Sequence, residues 1–83
     1  KLSEKGIRIN IISPGNILFT GSTWDDKLKK NKKQTMKYIL KNVPLNKFGD
    51  IDDIGSMIIY LASDKSKFIT GSEFIIDGGQ SIL

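Results

Sequence analysis

Eighty-three residues with a formal net charge of +4 allow at most one small domain with a modest core. There is no cysteine, which excludes disulfides and thiolate zinc sites, and no histidine, which removes the usual metal ligand, the usual general base and any Ser-His-Asp arrangement. Seven of the thirteen basic residues fall within residues 27–41, so the rest of the chain is close to neutral.

No apolar run approaches the ~20 residues of a membrane helix. Lys1-Leu2-Ser3-Glu4-Lys5 is charged and lacks the apolar core of a signal peptide. No membrane partner is therefore expected, and the lack of cysteine fits a reducing, cytoplasmic compartment. The chain opens as if in mid-helix and without an initiator methionine, so a longer parent is expected.

Residues 1–5 read as the end of a helix, with Gly6 just past it. Arg8-Ile9-Asn10-Ile11-Ile12 is short, rich in β-branched residues and bounded by Gly6 and Pro14, so a strand is expected over 8–12. Its nearly continuous apolar run suits a strand covered on both faces, as in a parallel sheet. Asn10-Ile11-Ile12-Ser13-Pro14-Gly15-Asn16 then runs from strand into a Pro-Gly break. In open α/β sheets, ligands sit beyond the carboxyl ends of the strands. Proline has no N–H and glycine lets a ligand come close, so this phrase reads as one wall of a site.

Residues 13–24 read as a loop, yet they carry Ile17, Leu18, Phe19 and Trp24. An apolar loop should fold over something, as a lid over a ligand or as a fixed contact with other parts of the protein. Trp24 either lines a substrate pocket or pins the lid. Residues 25–42 are helical by composition, with a break near Asn31, and Met36, Ile39, Leu40 and Val43 form an apolar stripe. Lid loop and helices together span 16–48. The lysines opposite the stripe read as a solvated face. No arginine and no aromatic residue other than Tyr38 is interleaved with them, so no specific nucleic-acid partner is expected.

Asp50 is an N-cap, with Asp52 and Asp53 in the first turn of a helix over 51–63. Ile51, Ile54, Ile58 and Leu61 lie on one stripe, and Met57 and Ile59 widen it. Such a helix should be buried on more than one side. After a turn at 64–67, a second strand over 72–77 stops at Gly78-Gly79. Asp77-Gly78-Gly79 reads as the tight exit from that strand. Strand, helical crossover and strand form a βαβ unit with parallel strands.

Four phrases give the whole chain a resemblance to the carboxyl-terminal third of a short-chain dehydrogenase/reductase. They are Gly6-Ile7-Arg8-Ile9-Asn10-Ile11-Ile12-Ser13-Pro14-Gly15; Val43-Pro44-Leu45-Asn46-Lys47-Phe48-Gly49-Asp50; Asp53-Ile54 through Tyr60-Leu61-Ala62-Ser63-Asp64; and Ile69-Thr70-Gly71-Ser72 into Ile75-Ile76-Asp77-Gly78-Gly79. The resemblance implies an α/β fold, the carboxyl-terminal βαβ part of a Rossmann-like doubly wound parallel sheet, with residues 1–83 as one portion of a single NAD(P)-binding domain. It implies hydride transfer between NAD or NADP and a small alcohol or carbonyl substrate.

Carried over by position, Pro14 and Gly15 match the Pro-Gly that lies against the nicotinamide, and Ile17 matches the position whose main chain meets the carboxamide. Where the family often has a threonine after that pair, this chain has Phe19. Thr20 comes one place later, and Thr20 and Ser22 are the candidates for that contact. Leu18, Phe19 and Trp24 fall in the substrate lid. Asn16 is polar where many members are apolar.

The family's glycine-rich turn, its serine and its Tyr-x-x-x-Lys pair are absent, so no catalytic residue is assigned. Tyr38-Ile39-Leu40-Lys41 is one residue short of that spacing, and Tyr38 reads as a packing residue. By itself the 83-residue chain is expected to be inactive. The remainder of its own chain is its expected partner, with a homodimer or homotetramer formed through 51–63 and 72–77. The alternative is a non-enzymatic dimerisation module from a truncated family member.

Overall fold

The structure, a computed structural model, describes residues 1–82. In chain order it has a 3₁₀ turn (Ser3–Lys5), β1 (Ile11–Pro14), α1 (Thr23–Lys30), α2 (Lys32–Asn42), α3 (Ile51–Ala62), a 3₁₀ turn (Asp64–Ser66), β2 (Glu73–Ile76) and a last 3₁₀ turn (Gln80–Ile82). β1 and β2 pair in parallel, with Ile11 opposite Glu73 and Pro14 opposite Ile76. This is the βαβ arrangement of an α/β sheet.

The first strand begins at Ile11, three residues later than the expected 8–12, and includes Pro14. Side chains explain the late start. Asn10 Nδ2 donates to the Ile69 carbonyl, and Asn10 Oδ1 accepts from the Ser72 N–H, each at 3.1 Å. The Ile9 N–H donates to the Thr70 hydroxyl, and Gly71 adopts a left-handed φ of 72°. Residues 8–10 are thus bound to 69–72 by irregular contacts before a ladder can form. At the other end, the Ile11 and Gly15 N–H groups point toward β2. Alternation then turns the nitrogen of Pro14 to the opposite edge, where its missing donor costs no bond in this sheet.

Asn31 divides the lysine-rich segment. It ends α1, and its side chain accepts from the Gln34 N–H at the start of α2. The Thr35 hydroxyl donates to the Lys27 and Asn31 carbonyls, locking one helix onto the other. Of the expected stripe, Ile39 and Val43 are buried, whereas Leu40 is 57% exposed because nothing packs on its side of α2.

α3 opens with a capping box in which the Asp50 and Asp53 side chains each accept the other's backbone N–H. Its far end is closed by Arg8. The guanidinium donates to the Leu61 carbonyl at 2.9 Å, to the Ile69 carbonyl at 3.1 Å and to the buried Ser66 hydroxyl. Carbonyls at a helix end lack intrahelical donors, and a cation there also suits the helix dipole.

Much apolar surface stays bare. Ile51, Ile58 and Ile59 on α3, and Ile9, Ile11 and Ile75 on the sheet, are each more than half exposed. The radius of gyration is 16.0 Å, whereas a compact domain of this length has about 12 Å. The accessible surface is 6463 Å², against about 5,000 Å² for a folded monomer of this mass. The expectation of a strand covered on both faces is not met within this chain.

Candidate functional site

The site is built on the carboxyl end of β1. The Gly15 N–H donates to the Ile76 carbonyl at 2.9 Å, which brings the two strand ends together. A Cβ on Gly15 would lie 2.5 Å from Asp77 Cβ and 2.7 Å from Asp77 Cα. Glycine is required here by the neighbouring strand. Asp77 fills the space on the Cβ side of Gly15, and Pro14 beside it is exposed.

The next residues are stapled to the segment before α3. The Gly49 N–H donates to the Asn16 carbonyl and the Leu18 N–H to the Gly49 carbonyl, at 3.0 and 2.9 Å. This parallel bridge between Ile17 and Gly49 uses neither the N–H nor the C=O of Ile17. Among the described residues, neither group is hydrogen-bonded. The Ile17 side chain instead lines a cavity of about 160 Å³ with Val43, Leu45, Phe48, Ile76 and Gly78. A Cβ on Gly49 would meet Ile17 Cδ1 at 2.7 Å. Sequence reasoning missed Gly49 as the clamp that orients Ile17. A glycine directly before a helix N-cap was the available signal.

Leu18, Phe19 and Thr20 border an open recess at the start of α3, beside Asp50, Ile51 and Asp52. Thr20 is exposed and carries no hydrogen bond among the described residues. Ser22, the other candidate, already has a structural role: its buried hydroxyl caps α1, accepting from the Asp25 and Phe19 N–H groups. The Asp25 carboxylate accepts from the Gly21 N–H and pairs with Lys29 at 3.2 Å. The Gly21 bond is the largest reason that its pKa lies below the ordinary 3.8.

Trp24 stands apart from those residues, in an aromatic cluster. Its ring stacks on Tyr38 and tilts against Phe48, each at a centroid distance of 5.4 Å, with Lys27 Nζ 4.6 Å from the ring. Tyr38 therefore packs on Trp24, and among the described residues no hydrogen bond joins it to Lys41. The stacking of Trp24 on Tyr38 places an aromatic pair beside the lysines, a pairing that the linear sequence did not show.

The exit of β2 closes the site from below. The Asp77 carboxylate accepts from the Ser81 and Gly79 N–H groups, each at 2.9 Å. The Ser81 bond is the largest of the effects that hold its pKa below 3.8. Gly78 and Gly79 have φ of 65° and 92°, and a Cβ on Gly78 would strike Val43 Cγ1 at 2.7 Å. The Asp77-Gly78-Gly79 phrase is thus a tight turn packed on residues 43–45. Among the described residues, no helix is long and apolar enough to cross a membrane.

Residues 1–81 match the family described as enoyl-(acyl carrier protein) reductase. The 3-oxoacyl-[acyl-carrier-protein] reductase FabG of Buchnera aphidicola is 36% identical over all 83 residues, which cover 32% of that protein. A solved structure of 4-hydroxyisoleucine dehydrogenase complexed with NADH is 40% identical, with a TM-score of 0.83 over 99% of this chain and 32% of that one. A putative 2-deoxy-D-gluconate 3-dehydrogenase from Agrobacterium tumefaciens with bound NADP is 27% identical, with a TM-score of 0.81 over 98% of this chain and 31% of that one. The chain thus spans about a third of the length of the relatives it matches. By this match and by the parallel βαβ unit whose first strand ends at Pro14-Gly15, the chain belongs to the short-chain dehydrogenase/reductase family.

Proposed function

We propose that these 83 residues are the carboxyl-terminal third of an NAD(P)-dependent oxidoreductase and form the nicotinamide-side wall, the substrate lid and a subunit interface. The observation that carries this is the end of β1, where an exposed Pro14 is followed by an Ile17 whose N–H and C=O make no hydrogen bond among the described residues. A carboxamide offers one acceptor and two donors, which a free backbone N–H and C=O can meet. The bound coenzyme would supply a hydride to a carbonyl carbon, or accept one from the corresponding alcohol.

Each residue's part follows from its surroundings. Pro14 presents a flat apolar face to the ring, and Gly15 seats that face against β2. Ile17 orients the amide, and Thr20 is free to meet a coenzyme oxygen. Leu18 and Phe19 cover the site and exclude water, while Trp24 fixes the lid helices through Tyr38 and Phe48. The proton of the reaction is proposed to come from the family's serine and Tyr-x-x-x-Lys pair, which do not occur in this sequence. On this reading the 83 residues alone are inactive, and a cytoplasmic location fits their lack of cysteine.

The exposed α3 face favours a subunit contact. Ile59 is 72% exposed, whereas Leu61 borders a recess beside Ile12 and Arg8. Two copies are proposed to meet through residues 51–63 and 72–77. Ile59→Asp should halve the sedimenting mass of the full coding product, and an unchanged mass would remove the interface from the proposal. A dimerising module without activity remains the second reading, supported by the same bare face.

The decisive experiment expresses the full coding frame and measures oxidation of NADH and NADPH with small ketones and 3-oxoacyl thioesters. Turnover with one coenzyme is expected. Absence of both coenzyme binding and turnover would overturn the enzyme assignment.

A further inference from the structure

We infer that Gln80 is a positioning residue that ties the lid to the nicotinamide wall; this rests on the wall and lid assigned above. Asn16, directly after Pro14-Gly15, donates from Nδ2 to Gln80 Oε1 at 2.6 Å. Gln80 Nε2 donates to the Tyr38 hydroxyl at 3.4 Å. The Tyr38 ring in turn stacks on Trp24 with an interplanar angle of 29°. Four side chains thus join the end of β1, the turn after β2, and both lid helices.

The backbone under Gln80 is fixed. Asp77 accepts the N–H groups on either side of it, from Gly79 and Ser81, so the side chain is presented from a pinned turn. The polar character of Asn16 finds its reason here: an apolar residue at that position would leave the Gln80 carbonyl without its donor. The two arms differ in strength. The wall-side bond is short, and the lid-side bond is near the limit of hydrogen-bond length. The lid is therefore the part that lets go, and the effect should fall on substrate capture ahead of coenzyme capture.

The test uses the full coding product and the variants Gln80→Leu, Gln80→Glu and Tyr38→Phe. Glutamate can accept from both Asn16 Nδ2 and the Tyr38 hydroxyl, so it should preserve the tie that leucine loses. Two readouts are taken. The first is the steady-state split between KM and kcat for the carbonyl compound that the parent reduces. The second is tryptic cleavage within residues 27–41, where seven lysines report lid release without any need for turnover. One net hydrogen bond corresponds to about fivefold. Gln80→Leu should raise KM and the cleavage rate by about that factor, with kcat and the coenzyme Kd within about twofold. Tyr38→Phe should match it, the double variant should add nothing further, and Gln80→Glu should behave as the parent.

Parent turnover with KM and cleavage unmoved by Gln80→Leu would overturn the positioning role while leaving the proposed function intact. A parent without turnover would overturn the proposed function, and the proteolysis alone would then decide whether the tie holds the lid.

Discussion

Gly15→Ala probes the packing that shapes the wall. The added methyl would lie 2.5 Å from Asp77 Cβ and 2.7 Å from Asp77 Cα. Carbon atoms settle at about 3.5–4.0 Å, so the strand ends must part by about 1 Å. Asp77 cannot yield easily, because its carboxylate is held by the Gly79 and Ser81 N–H groups. Parting also stretches the 2.9 Å bond from the Gly15 N–H to the Ile76 carbonyl. Overpacking costs about 1–3 kcal/mol, and the strained hydrogen bond adds about 1 kcal/mol. The relatives are about three times as long as this chain. In a domain of that size 1 kcal/mol moves Tm by about 2–4 °C, so a fall of about 5–10 °C is expected. The assay is a calorimetric melt of the full coding product, with coenzyme titration beside it. Gly55→Ala is the control: nothing lies within 4 Å of its Cβ, and alanine favours the helix by about 0.5–1 kcal/mol. A Gly15→Ala protein that melts with the parent and binds coenzyme equally well would refute the packing account of the wall.

Arg8→Met keeps the apolar stem but removes the donors to the Leu61, Ser63 and Ile69 carbonyls. Losing charge-assisted bonds at a helix end should cost about 2–4 kcal/mol, read as a lower urea midpoint with unchanged slope; a midpoint equal to the parent's would remove Arg8 from the account. Asp77 has a folded-state pKa below its ordinary 3.8, chiefly through the Ser81 N–H. Its stabilising contribution is full above 3.8 and is lost as pH falls through the lower folded value. Asp77→Asn should therefore flatten the acid limb of the stability curve below about pH 4, and an unchanged limb would contradict the assignment. The 83 residues alone, with their bare isoleucines, should show no sharp cooperative melt as a monomer in dilute solution, which circular dichroism with sedimentation can check.

The elements that the sequence made legible are those with local causes. Asp50 and Asp53 announce α3 because a capping box needs only residues three apart. Asn31 divides α1 from α2 because its side chain caps one helix where its backbone ends the other. Gly6 marks the end of the first turn because its φ of 76° suits glycine. What stayed hidden depends on residues about 60 apart. The late start of β1 comes from Asn10 reaching Ile69 and Ser72, and the closure of α3 comes from Arg8 reaching across the sheet. In the site, Pro14-Gly15 stood out as a chain break, but the demand on Gly15 comes from Asp77 on the neighbouring strand. Gly49 was marked only as a glycine directly before the Asp50 N-cap, and Gln80 carried no local mark at all, since their roles exist only once Ile17, Asn16 and Tyr38 are brought beside them.

Coenzyme titration of two purified species side by side, the 9.3 kDa chain and the product of the full coding frame, weighs most on the whole picture. The longer product should bind NADH or NADPH and the short chain should not, because in the proposed function Pro14 and Ile17 would meet only one side of a nicotinamide. Equal capture of the coenzyme by the short chain would contradict the idea that it supplies a single wall.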